Sequence, residues 1–481
     1  MEFVNSGRGE STHRGTAASA AGGAGLTQRA LARALDISPS YVNQLESNQR
    51  PVTAAVLLKL ADALDIDLTQ FSTDAADRLA AQLRDVLTDA SLSEHISQAE
   101  IHELASTLPT VGHALVDLHR RYRHSLEVTE AISARIDAGS PAAALAAQTA
   151  YEEVRDLFYS HRNYFAALDT AAEDIAADAG LAPGAPFGAL ARRLQDLHST
   201  GVTDLPEHEA GRFKRRYDAR RRELAVSPLL DDGQRAFQLA THLASIELAE
   251  HIEAVVGAAD LSGEETGELA RTGLANYAAG AMILPYRAFR DTAENVRYDI
   301  GLLGQRFRVS YETVAHRLST LQRPQLRGVP FFFVRVDRAG NISKRQSATD
   351  FHFSRVGGSC PLWNVYEAFA HPTEIQTQLA EMPDGRRYLW IARTVTQHIG
   401  SFRAPAKTFA IGLGCDIRHA SRLVYADDLD LDNPAALTPI GPGCKLCDRP
   451  ACPQRAFPAL GKPIDTSAQH ARFAPYGTGA G

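Results

Sequence analysis

The chain has 481 residues, of which 44% are hydrophobic and 22% charged, with a net charge of −7. That is enough chain for roughly three domains of about 150 residues each, and the balance is that of a globular protein. The mild acidity excludes an overall electrostatic attraction to nucleic acid or to an anionic membrane, so any DNA contact has to come from a local surface.

Residues 1–25 are rich in Gly, Ala and Ser and read as a flexible tail without a signal-peptide core. No stretch carries the ~18 uninterrupted apolar residues of a membrane span, so the expected location is the cytoplasm. Residues 26–35 form a short amphipathic helix capped by Thr27, and Asp36-Ile37-Ser38 makes a turn. Ser38 caps a second helix over residues 39–46, with Pro39 at its first position. Val42 and Leu45 turn inward there, leaving Ser40, Tyr41, Asn43 and Gln44 outside. Arg50-Pro51 and a further helix over residues 54–64 complete a unit that closes at residue 72. The set Leu26-Thr27-Gln28, Leu31-Ala32, Ser38 to Val42, Leu45-Glu46 and Leu60-Ala61 resembles the helix-turn-helix of the Xre/lambda-repressor-like family. The resemblance implies that residues 39–46 enter the major groove of double-stranded DNA. Ser38, Ser40, Tyr41, Asn43 and Gln44 then approach base edges, and Gln28 and Arg50 meet phosphate or base. The family's first helix has no counterpart before Leu26, and local charge is modest. A homodimer or higher oligomer on a two-half-site operator is therefore expected.

Residues 74–186 read as an alanine-rich helical domain with a break at Gly139-Ser140-Pro141. Within it, residues 151–165 place Tyr151, Val154, Phe158, Arg162 and Phe165 on one helical face. An arginine on an aromatic face needs an anion or a carbonyl. Arg162, with Tyr164 beside it, either pairs with an internal carboxylate or meets a ligand phosphate or carboxylate.

Residues 187–328 contain a hairpin over residues 216–226 with its turn near Asp218, its arginines Arg216 and Arg220 to Arg222 reading as a solvated face or a nucleic-acid patch, and a helix over residues 235–245. Residues 275–285 and 303–310 follow. This order resembles the ImmA/IrrE-type zinc peptidase family. In that family two histidines one helical turn apart and a later glutamate hold zinc, and a glutamate between the histidines acts as base. The histidine positions fall here on Thr241 and Ser245, the base on His242, and the third ligand on Gly280. The ligand set is absent, so the expectation is the fold without hydrolysis. Its vacated cleft becomes a small-molecule pocket near His242. The competing reading is a metallopeptidase acting on a partner repressor, with zinc in that cleft. Residues 301–322 also look like a second helix-turn-helix, or a structural helical pair.

From residue 329 to 465 strand signals dominate, at residues 330–336, 387–392 and 408–415, and residues 466–481 read as a second tail. Three of the five cysteines, Cys444, Cys447 and Cys452, lie within nine residues. Two thiolates on a tight turn converge on one ion. Cys415 ends a strand and is the expected fourth ligand, with Cys360 as the spare thiol. Four thiolates suit a 4Fe-4S iron–sulfur cluster or tetrahedral zinc. The whole reads as an α+β protein, mostly helical.

The full order resembles the short-chain fatty acyl coenzyme A regulator family. The residues that carry it are the reader over residues 26–64, Glu153-Val154-Arg155-Asp156 with Arg162-Asn163-Tyr164, and the degenerate peptidase segment. Gly358-Ser359-Cys360-Pro361-Leu362-Trp363, Gly414-Cys415-Asp416-Ile417-Arg418-His419-Ala420 and Gly443-Cys444 through Cys452-Pro453 complete it. The resemblance implies a transcription factor for carboxylate metabolism that senses an acyl coenzyme A, with an iron–sulfur cluster in some members. Arg162, Tyr164 and His242 are the expected ligand contacts.

Overall fold

Leucine and alanine at three- and four-residue spacing build the first helices of the computed structural model. The structure describes residues 32, 37–38, 73–87, 96–134, 141–348, 360–397, 403, 406–445, 447, 449, 452–459 and 476. It divides into two units. One comprises Met1–Glu130, Asp350–Gly357 and Pro450–Gly481, the other Ala131–Thr349 and Gly358–Arg449. No helix among the described residues is long and apolar enough to cross a membrane.

In the first unit, helices α1 (Thr73–Leu87), α2 (Gln98–Thr107) and α3 (Pro109–Ala134) follow one another. A capping box starts α2: the Glu100 N–H donates to the Ser97 hydroxyl, and the Ser97 N–H donates to the Glu100 carboxylate at 2.8 Å. Leu79, Ala80 and Leu83 of α1 pack on Ile101 and Ala105 of α2, with Leu115 and Val116 of α3 against them. The DNA-reader residues fall outside the described residues except Ala32, which is buried, Ile37, and Ser38, which is exposed.

The second unit opens with α4 (Pro141–Ser160), α5 (Ala166–Asp178) and α6 (Pro186–His198). Strand β1 (Gly201–Asp204), a short α7 (Glu207–Ala210), β2 (Arg215–Asp218) and β3 (Glu223–Val226) come next. These strands form a sheet of order β1-β3-β2, with β1 parallel and β2 antiparallel to β3, so β2 is an edge. Helices α8 (Asp232–Glu247), α9 (Ala249–Ala258), α10 (Glu264–Ile283), α11 (Tyr286–Asn295), α12 (Ile300–Phe307) and α13 (Tyr311–Leu318) complete the helical part. Asp231 caps α8 by accepting from the Gln234 N–H at 2.8 Å.

A six-stranded sheet follows: β4 (Phe332–Val336), β5 (Ile342–Ser347), then α14 (Asn364–Glu367), β6 (Gln376–Glu381), β7 (Arg387–Gln397), β8 (Lys407–Asp416) and β9 (Thr438–Pro439). Its order is β5-β4-β8-β7-β6-β9, antiparallel except for the β6–β9 pair. Alternation splits the faces. Phe333, Leu389, Ile391, Ile411, Leu413 and Cys415 join the helices in one core that runs from Leu157 to Ala426. On the opposite face, the Trp363 and Trp390 rings meet edge to face at 4.7 Å. Glycine is required beneath them, because a Cβ on Gly414 would lie 2.6 Å from the Trp390 ring. The divisions drawn from sequence at 186/187 and 328/329 fall inside the shared core.

The helix expected over residues 151–165 stops at Ser160. Arg162 and Asn163 adopt left-handed backbone, with φ of 51° and 56°. The Asn163 N–H closes the end by donating to the Phe158 carbonyl at 2.9 Å. Arg162 therefore leaves the predicted aromatic face, and Asn163 is the fully buried residue of the pair.

Candidate ligand cleft and cysteine loop

Alternation along β2 sends Arg215 and Tyr217 to the same side of the strand, toward α8. The Arg215 guanidinium donates to the Gln238 carbonyl at 3.0 Å. Among the described residues that is its one hydrogen bond, and it has no carboxylate partner. Burial lowers its pKa. The Tyr217 ring stands 4.4 Å from the His242 ring. His242 is 7% exposed, and its Nε2 has no partner. Burial first, then the positive charge of Arg215, lowers its pKa to about 4, so the ring is neutral at pH 7.

The other peptidase positions are equally unsuited to zinc. Thr241 donates its hydroxyl to the Phe237 carbonyl at 2.7 Å, and Ser245 donates to the His242 carbonyl at 2.6 Å. Both hydroxyls are spent on the backbone of their own helix. At Gly280 on α10, an added Cβ would meet nothing within 4 Å. The positions that carry the zinc ligands in the peptidase pattern thus hold two backbone-bonded hydroxyls and a glycine, beside a cation and a neutral imidazole.

The structure treats the other expected ligand contacts differently. The Tyr164 hydroxyl accepts from Arg323 Nε at 3.1 Å, and its ring packs edge-on to Tyr286 at 5.8 Å. Arg323 also donates to Asp169 at 3.1 Å and Glu173 at 2.8 Å. Asp169 further accepts from Arg317 at 2.6 Å and from the Tyr277 hydroxyl at 2.8 Å. Tyr164 is held in an internal ion network, and His242 shares no bond with it. Asp169, Arg317 and Arg323 were missed in the sequence. Asp169 and Arg317 signal themselves only as charges among the buried positions of α5 and α13, and Arg323 follows α13. The burial of Tyr311, Val314, Ala315 and Leu318 makes α13 a structural element rather than a groove reader. Arg220, Arg221 and Arg222 lie exposed in the β2–β3 turn, where Asp218 Oδ1 accepts the N–H groups of Arg220 and Arg221.

The cysteines take two settings. Cys415 is fully buried in the apolar core, and burial raises its pKa well above the usual thiol range. Cys444 and Cys447 are buried in the loop after β9. Gly441 makes room for them, because a Cβ there would lie 2.7 Å from Cys447 Sγ. Two thiols three residues apart in a shielded turn fit half of a thiolate site. Cys360 heads the turn to Trp363, whose ring lies on the sheet face opposite Cys415. Cys452 belongs to the other unit. Among the described residues no three His, Cys, Asp or Glu side chains converge as metal ligands.

Residues 23–71 match a helix-turn-helix family, and residues 202–319 match the IrrE N-terminal-like domain. Residues 320–476 match the C-terminal domain of the short-chain fatty acyl coenzyme A regulators. The HTH-type transcriptional regulator RamB of Mycobacterium tuberculosis is 49% identical, over 94% of this chain and 95% of that protein. The chain belongs to the short-chain fatty acyl coenzyme A regulator family. The HTH-type regulator PrpR of M. tuberculosis is also 49% identical, over 94% of this chain and 93% of its own length. A propionyl-CoA carboxylase regulator of Cereibacter sphaeroides is 42% identical, over 94% of this chain and 95% of its own. A solved M. tuberculosis transcriptional regulator superposes with a TM-score of 0.66 at 50% identity, covering 68% of this chain and 99% of that one. This family member is a helix-turn-helix transcriptional regulator and not an enzyme.

Proposed function

We propose that this regulator controls genes of acyl coenzyme A and carboxylate metabolism and is gated by an acyl coenzyme A bound in the vacated peptidase cleft. The observation that carries the reading is the pair Arg215 and His242, a partly buried cation without a carboxylate beside an imidazole without a partner. A ligand phosphate or carboxylate would supply the missing anion, and the space at Gly280 would admit ligand bulk. One relative, named a propionyl-CoA carboxylase regulator, supports the substrate class. Such a ligand changes operator affinity by binding one conformation more tightly than the other. The operator is read by a homodimer through residues 39–46.

Calorimetric titration of the full-length protein with acetyl and propionyl coenzyme A tests the cleft, alongside operator binding followed by fluorescence anisotropy. Saturable binding that shifts operator affinity is the expected result. Absence of any coenzyme A thioester binding overturns the gating.

Cys444 and Cys447 are proposed to hold an iron–sulfur cluster, or zinc in its place, with Cys452 and a fourth thiolate from Cys415 or Cys360. A bound cluster supplies redox-dependent charge and sulfur ligation. The protein's own part is to shield the two thiolates in the Gly441 loop. Iron and labile sulfide in protein purified without air, measured for Cys360→Ser and Cys415→Ser, decide which supplies the fourth thiolate.

A further inference from the structure

A second polar cluster lies on the core side of the six-stranded sheet, where α13 meets the β4–β5 hairpin. Phe333 and Arg335 on β4 stand opposite Gln346 and Lys344 on β5, so all four share that face. The His316 ring of α13 meets Phe333 edge-on at 5.6 Å. The Lys344 ammonium lies 5.9 Å from the centre of the same ring.

Three groups here lack what they need. His316 Nε2 and Gln346 Oε1 are shielded from solvent without a hydrogen-bond partner. Lys344 has no acidic partner among the described residues. Its nearest acid, Glu312, is held by Arg335 at 2.8 Å, and Arg335 is fixed in turn by the Ser343 hydroxyl at 2.9 Å. Burial pulls the Lys344 pKa down to about 8, although Glu312 acts the other way. Burial also lowers His316, as do the charges of Lys344, Arg317 and Arg335. Lys344, His316 and Gln346 are each half-buried, so the cluster is reached from solvent.

The missing partners define a ligand. An enclosed ammonium calls for an anion. An amide oxygen calls for a hydrogen-bond donor. A ligand ammonium would meet the like charges of Lys344 and Arg335, which leaves a hydroxyl as the donor. Phe333 supplies an apolar wall. We propose that these side chains line a recess that is a second ligand site, separate from the one at His242, and that it takes a small hydroxycarboxylate. The carboxylate sits on Lys344, the hydroxyl donates to Gln346 Oε1, and His316 Nε2 completes the ring of contacts.

Lactate titrated into the full-length protein is the direct probe, with propionate and alanine as comparators. Lactate is expected to saturate, propionate to bind about tenfold more weakly, and alanine to fail. Lys344→Gln is expected to weaken lactate by more than about tenfold. Gln346→Ala should erase the preference for lactate over propionate. Thermal unfolding of each variant, unchanged from the parent, separates lost binding from lost folding. His242→Ala should leave lactate binding intact, so failure of the coenzyme A reading does not touch this one. Equal lactate affinity in folded Lys344→Gln overturns the proposal, as does alanine binding as well as lactate. No saturation of the parent protein would mean a recess filled by water only. Displacement of lactate by acetyl coenzyme A would merge the two sites and overturn their separation.

Discussion

Arg317 and Asp169 are joined by a 2.6 Å ion pair across 148 residues of sequence, and both side chains are almost wholly out of solvent. Asp169 also receives Arg323 and Tyr277, so one carboxylate joins α5, α10, α13 and the segment after α13. A buried charge that loses its partner is costlier than the pair is beneficial. Asp169→Ala should therefore lower unfolding free energy by about 3–5 kcal/mol in urea denaturation. A loss below about 1 kcal/mol would mean that Arg317 finds another acid, such as Glu173.

Acid should weaken the fold through His242. Its folded pKa of about 4 lies below the ordinary 6.5, because burial and Arg215 disfavour the imidazolium. The unfolded chain therefore takes up this proton first as pH falls. The His242 contribution is intact above pH 6.5, falls away as pH drops toward 4, and changes no further below that. The full difference is on the order of 3 kcal/mol. Stability measured at pH 7 and pH 4.5 should show a smaller gap in His242→Gln than in the parent protein. Identical gaps would place the titrating group elsewhere.

Local signals in the chain were enough for the elements that function builds on. The β2–β3 hairpin with its Asp218 turn, the strands ending at Val336 and Cys415, and the helix bearing Thr241, His242 and Ser245 all follow from periodicity and turn chemistry. The loss of the zinc ligands was readable because the peptidase motif has a fixed spacing. Contacts set by tertiary structure were not readable. Arg162 sat on a plausible aromatic face until the helix ended two residues earlier in left-handed backbone. Arg215 lay just outside the arginine run read from the sequence, and only the pleat of β2 singles it out. Cys415 pointed to the core as expected, yet alternation cannot say whether a core position is apolar or ligating.

Operator recognition should depend on residues 39–46. Asn43→Ala or Gln44→Ala should cost about 1–3 kcal/mol of operator affinity if each meets a base edge. Arg50→Ala should lower affinity for all sequences alike if it meets phosphate, and reduce the salt slope by about one. Anisotropy titrations over a salt series separate the two patterns. An unchanged operator preference in both Asn43→Ala and Gln44→Ala would remove them from the reading face.

The cysteine loop should be sensitive to one methyl group. A Cβ on Gly441 would stand 2.7 Å from Cys447 Sγ, so Gly441→Ala must push that sulfur aside. Ligand geometry tolerates only a few tenths of an ångström. Gly441→Ala is expected to lose most of its iron or zinc, while Gly257→Ala, where an added Cβ meets nothing, keeps it. Elemental analysis of both proteins after anaerobic purification makes the comparison. Equal metal content would place the metal away from Cys447.

The vacated cleft should accept its ancestral metal when its ligands are restored. Thr241 and Ser245 are four residues apart on α8, so they lie on one face one turn apart. The position after Thr241 carries the base in the peptidase pattern, and Gly280 has open space for a longer side chain. Combining Thr241→His, His242→Glu, Ser245→His and Gly280→Glu supplies two imidazoles and a carboxylate to one ion, with a fourth position for water. The altered protein is expected to retain about one zinc per chain after dialysis, and the parent protein none at this site. Retention requires that α8 and α10 already stand at the separation the metal needs, so it tests the helix frame itself. A quadruple variant that folds but holds no zinc would show that the two helices have drifted apart since the ligands were lost. The cleft could then no longer be equated with the peptidase site.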